Sequence, residues 1–333
     1  MPNDHLQSIP TSIDRKANAV SIFMANRKRS EIDPSQSSPI YARTANGPRG
    51  SKSTNEKQLK NNIKNERSAK KINTIKDKRI HGQYFTILEL PHINKRASIA
   101  WLKSSTLKRS TESTICAIQE NAISTKYMKK HIYKTTDDDT CRACKQFPET
   151  VQHVMSKCPI LAPTKYLERH DNVCKYFHVR LAKKLGFVEN LTKWYEYEPE
   201  PILENVSTKI LWNFMIQTDR PMKHNKPDIT VLDKEARVVY LIDVAIPTAK
   251  NITRKINEKI TNYADIAIEI KQLWNVRTVK TVPIIIGACG EIHENFEKSI
   301  TEKLNIEINT KEIQHIVLLS TANISRYFFS ADF

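Results

Sequence analysis

Apolar positions are sparse over the first eighty residues and then settle into distinct periodic patterns. Residues 1–80 are rich in Ser, Asn, Lys and Pro, with Phe23 and Tyr41 as their aromatics. Such a stretch cannot bury enough apolar surface to offset the entropy of ordering, so a disordered basic tail is expected. Within it, residues 55–79 read as a polar helix. Lys70, Lys71 and the run Lys76 to Arg79 suit nuclear import, phosphate contact or plain solubility equally well.

Folding is expected to begin near His81. Tyr84, Phe85, Ile87, Leu88 and Leu90 cluster ahead of Pro91, and Ala100-Trp101-Leu102 follows. Ile115, Ile118 and Ala122 recur at helical spacing and predict a helix from about Thr111 to Lys130, capped by Ser110 or Thr111. Leu161, Tyr166, Val173, Phe177 and Leu181 predict one or two helices after residue 158. Residues 189–201 are acidic and closed by proline, and mark the best domain boundary.

Past Pro201 the pattern changes. Ile202 to Ile216 reads as a helix. A short strand, Ile229 to Leu232, a reversal over Asp233 to Ala236, and a β-branched, largely apolar strand, Arg237 to Pro247, follow. From Ala249 to Trp274, Ile252, Ile256, Ile260, Tyr263, Ala267, Ile270 and Trp274 form one helical stripe. A third strand over Val279 to Gly287 and helices over Glu291 to Leu304 and Lys311 to Ser325 complete the chain. The fold class is α/β: a disordered basic N-terminus (1–80), a helical segment (81–140), a small cysteine-rich module with its helices (141–188) and a mixed α/β domain (200–333).

Charge adds a partner class. The 333 residues carry a net charge of +17. Part of the surplus sits in residues 1–80, yet the remainder is still basic, which favours a polyanion such as DNA or RNA. No run of about 18 apolar residues is present, so no membrane span is expected. The first ten residues lack a charged and an apolar region, so no secretory signal is expected.

The chemistry concentrates in two places. Cys141, Cys144, His153 and Cys158 follow C-x2-C-x8-H-x4-C spacing, which closes a tetrahedron around structural Zn²⁺. The other cysteines, Cys116, Cys174 and Cys289, are isolated, which suits a reducing compartment rather than a disulfide framework. Asp137 to Asp139, just before this module, lack a flanking apolar strand and read as a solvated turn. The second place is the predicted hairpin. Asp243 interrupts a buried apolar run, and a buried carboxylate is costly unless it is paired or binds a metal. Asp228 lies on the facing strand, so the two acids can hold a divalent metal, with Lys255 and Lys259 leaning over from the next helix.

The stretches AWLKSSTLKRSTES and AIQENAISTKY, the CRAC module, RHDNV at 169–173, KPDI with LIDVAIP, and EKITNYADIAIEIKQLW before VPIIIGACG resemble one family. It is the C-terminal part of non-LTR retrotransposon polyproteins that carry a restriction-like endonuclease and insert into ribosomal RNA genes. The resemblance runs from about His81 to Phe333. It implies a polymerase tail over residues 81–140, a zinc knuckle that grips nucleic acid, and a final domain that nicks target DNA in the nucleus. Asp228 and Asp243 match the family's Mg²⁺-binding acids. The catalytic lysine comes from the following helix, which selects Lys259, then Lys255, with Glu258 as a further acid. Glu204 corresponds to the helical acid of the nuclease fold. Lys126, Lys129, Lys130, Arg142, Arg169 and His170 are the candidate nucleic-acid contacts. The polymerase fingers and palm and the N-terminal zinc fingers have no counterpart here, so a truncated or decayed element is expected. Its alternatives to an enzyme are an inactive nucleic-acid-binding remnant and an inert fragment.

Overall fold

A computed structural model describes residues 52–77, 82–103, 107–189 and 193–333. The tail expected to be disordered lies outside these over residues 1–51, as do Lys78 and Arg79 of the basic run. The chain divides into two units, residues 1–83 with 120–122, and residues 84–119 with 123–333. In the first unit, the polar helix expected over residues 55–79 is helix α1 (Lys52–Lys76). Its exposed, polar faces lack an apolar stripe, and Lys60 reaches back one turn to Glu56 at 2.8 Å.

The second unit holds a five-stranded sheet in the order β1 (Ile202–Glu204), β2 (Thr208–Trp212), β3 (Ile229–Asp233), β4 (Val238–Ala245) and β5 (Thr278–Ile285). The first four strands pair antiparallel, and β4 pairs parallel with β5. The parallel pair needs a crossover, which α2 (Ile252–Asn262) and α3 (Ala264–Leu273) supply. Alternation along β4 sends Val239 and Leu241 to one face, against Tyr263, Ile266 and Ile270. Ile242 and Val244 go to the other, against Tyr176 and Phe177 of α4 (Leu167–Lys184) and Val317 of α5 (Thr310–Ser330). Residues near 140 and 189–201 fall within this second unit.

Several expected elements differ. The helix expected over 202–216 is the β1–β2 hairpin. Asn205 Oδ1 accepts the N–H of Ser207 and of Thr208, fixing a turn in mid-segment. Asn213 at φ 48° ends β2. The helix expected from Thr111 to Lys130 spans Arg109–Gln119, because Asn121 takes φ 52°. The long helix over 249–274 breaks at Tyr263, where φ −97° and ψ 5° depart from helical values. The break moves the buried face to Ile266 and leaves Ile260 exposed.

Candidate metal centre and acid pair

The first site is built by local turns. Cys141 donates its N–H to Phe147 O at 2.8 Å, and Lys145 donates to Cys141 O at 2.9 Å, from a left-handed φ of 54°. This tight reversal presents Cys141 and Cys144 side by side. His153 sits on the short helix Val151–Ser156, whose Thr150 cap accepts the His153 N–H at 3.0 Å. Cys158 follows that helix, its N–H bonded to the Tyr166 hydroxyl at 3.1 Å. All four side chains are buried, and their ligand atoms lie within 4.8 Å of one another. Cys144 Sγ is 3.4 Å from His153 Nε2. Burial pushes the Cys158 thiol up to about 12. A buried Cys3His cluster of this kind can hold a metal such as zinc, whose charge stabilises the thiolates. Ile324 and Phe328 of α5 pack against it, which ties the module to the core.

The second site lies at the end of the β3–β4 ladder. Ile229 pairs with Ile242, so Asp228 and Asp243 are the next residues in register and become neighbours. Val244 donates its N–H to Asp228 Oδ2 at 2.7 Å. The Lys259 ammonium stands 2.8 Å from Asp243 Oδ2 as an ion pair, without an aligned hydrogen bond to that buried oxygen. Burial, then the charge of Asp228, raises Asp243 to about 7, while Lys259 works the other way. Burial alone would raise Asp228 too, but its bond from His170 outweighs this and keeps the carboxyl low. Tyr263, beside Asp243, has its hydroxyl pushed up by burial and by that carboxylate.

His170 was expected to meet nucleic acid. Instead its Nε2 reaches Asp228 Oδ2 at 3.1 Å and its Nδ1 reaches Asp171 Oδ1 at 3.0 Å. Burial opposes its charge, but Asp171 and Asp228 outweigh burial and raise it well above the ordinary imidazole value. Cys174 Sγ lies 3.7 Å from both ring nitrogens, and burial pushes that thiol up to about 12. Sequence reasoning left Cys174 isolated. The signal was the i, i+4 spacing of His170 and Cys174, which puts both on one helix face.

The remaining candidates separate. Lys255 and Glu258 pair with each other, and Arg254 also reaches Glu258. Glu204 lies on a strand, not a helix, and pairs with Lys209 at 2.8 Å and Lys234 at 2.7 Å. It stands at the opposite end of the sheet from Asp228, because Glu204 pairs with Lys209, which pairs with Leu232. Arg169 cannot be a surface contact. It is buried, bonds Thr321 at 2.9 Å and stacks on Tyr166, and burial lowers it to about 10. Arg142 forks onto buried Glu149 at 2.9 and 3.0 Å and lies over Phe329. Lys126 and Lys130 pair with Asp138 and Asp139 at 2.7 and 3.1 Å, and Asp137 and Asp138 are exposed, in keeping with the expected solvated turn. Lys129 is exposed. No family model matches the chain, and no curated protein matches it.

Proposed function

We propose that the chain is a divalent-cation-dependent DNA endonuclease with a zinc-stabilised module that holds nucleic acid, active in the nucleus. The observation that carries this reading is the meeting of Asp228, Asp243 and Lys259 from three elements at one sheet end. Support for Mg²⁺ comes from the donors themselves. Two adjacent carboxylates repel each other, one is held near neutrality at about 7, and its Oδ2 lacks an aligned hydrogen bond. A hard cation with oxygen ligands would relieve that repulsion. Asp228 and Asp243 would hold Mg²⁺, which when bound activates water and offsets phosphate charge. Lys259 favours the charged form of Asp243 against burial and Asp228, and would face the developing negative charge of the cleaved diester. The restriction-like and retrotransposon assignments rest on the motif resemblance alone.

One observation favours an inactive binding remnant. His170 and Lys259 already supply a cation to each acid. Supercoiled plasmid incubated with Mg²⁺ or Mn²⁺ decides between the readings. Nicking by the wild type and loss of nicking in a folded Asp243→Asn variant are expected. Equal nicking by both proteins, or nicking by neither, overturns the nuclease reading.

A further inference from the structure

His170, Cys174 and Asp228 bring an imidazole, a thiol and a carboxylate to one point, with their ligand atoms within 4.8 Å of one another. His170 and Cys174 are one turn apart on α4, and Asp228 enters from the start of β3. Two of the separations come close to the edges of a tetrahedral transition-metal site. Bond lengths of about 2.0–2.2 Å to N and O and about 2.3 Å to S imply N···O edges of about 3.3 Å and N···S edges of about 3.6 Å. The structure gives 3.1 Å from His170 Nε2 to Asp228 Oδ2 and 3.7 Å from Nε2 to Cys174 Sγ. The thiol lies equally near Nδ1, beside the ring face, so a turn of the imidazole accompanies metal binding.

A second observation points the same way. Asp171 holds His170 Nδ1 at 3.0 Å, which leaves Nε2 directed at Asp228. A carboxylate on the far ring nitrogen is what orients and strengthens a metal-ligating histidine. Cys174 itself is buried, which does not suit a surface nucleophile.

We propose that His170, Cys174 and Asp228 form a second metal site, distinct from the Cys3His module, which takes a borderline-soft ion such as Zn²⁺ or Co²⁺. The thiol and imidazole select against Mg²⁺, which prefers oxygen donors. Three protein ligands leave one tetrahedral position for water or a substrate oxygen. Asp228 has two oxygens, so this site and the acid pair can share it. The site stands whether or not the chain cuts DNA.

The full-length chain, loaded with Zn²⁺ and desalted, is expected to hold two zinc ions. Cys174→Ala and His170→Gln should each hold one, and Asp243→Ala should keep two. Replacing both Cys141 and Cys144 by Ser should remove the other ion. With the Cys3His module filled by Zn²⁺, added Co²⁺ should give a thiolate charge-transfer band in the wild type that Cys174→Ala lacks. His170→Gln, at a part-buried position of α4, covers the case in which Cys174→Ala does not fold. One zinc in the wild type, or two retained in both Cys174→Ala and His170→Gln, overturns the proposal.

Discussion

Lys259 Nζ stands 2.8 Å from Asp243 Oδ2, joining the third turn of α2 to the buried end of β4. Sixteen residues separate them, and the register of the β3–β4 hairpin is what brings Asp228 to the same point. A lysine held this way both lowers the cost of the buried carboxylate and presents a cation at the site.

Lys259→Met should therefore reduce plasmid nicking about 10²-fold or more. Stability should fall by about 1–3 kcal/mol, because Asp243 can take up a proton rather than remain as an unpaired buried charge. Lys255→Met should leave nicking nearly unchanged, since that lysine pairs with Glu258. Nicking rates and thermal melts of the two variants check this, and equal losses in both would count against the assignment.

The Cys3His module should be structural. Cys141→Ser, or a strong chelator, should remove one zinc and loosen the residues packed on it, Val154, Leu161 and Phe328. Hydrogen exchange should then speed up over residues 141–166 and the C-terminal turns of α5, while β3 and β4 keep their protection. Unchanged exchange near Phe328 after zinc removal would show that packing alone holds the module.

The cysteine module and the acid-bearing hairpin were legible in the sequence because their signals are local. Ligand spacing defines the first. Turn-bounded β-branched runs define the second, and their register follows from the turn at 234–237. The β1–β2 hairpin was not legible. Thr208 to Trp212 is too short to show alternation, and a short apolar run fits helix and strand alike. The fates of Arg169 and Arg142 were hidden for another reason. Thr321 lies 152 residues from Arg169, and nothing local to an arginine states whether its counter-charge is a phosphate or its own chain. The His170–Asp228 bond, 58 residues in span, was hidden in the same way.

Glu149 is a site residue that sequence reasoning passed over. It is fully buried and accepts bonds from Arg142 Nε and Nη2 and from the N–H groups of Arg142 and Lys126, all at 2.9–3.0 Å. Glu149→Ala should cost about 3–5 kcal/mol, because it strands the Arg142 charge and two amide donors. Arg142→Ala should cost a comparable amount for the mirror reason. DNA affinity per folded molecule should change little, since the guanidinium is already committed. Urea unfolding with a filter-binding salt series separates the two effects.

Glu291 should add to the slope of the stability curve near neutral pH, alongside Asp243. Its carboxylate folds over Gly287, where a Cβ would meet Oε2 at 2.1 Å, and accepts the Cys289 N–H at 3.0 Å. Burial raises the carboxyl from 4.5 to about 7, with the backbone bonds and Arg169 opposing. The folded chain thus keeps a proton that the unfolded chain has already released between those values. The stabilisation is full below about pH 4.5 and is lost as pH rises through about 7, a loss of about 1–3 kcal/mol. Glu291→Gln preserves the shape of the protonated side chain. It should match the wild type at pH 5 and be the more stable protein at pH 8. Urea melts of both proteins at the two pH values, with zinc held constant, test this. A wild type that loses no more stability than Glu291→Gln between pH 5 and pH 8 would show that the buried carboxyl is already charged at the lower pH.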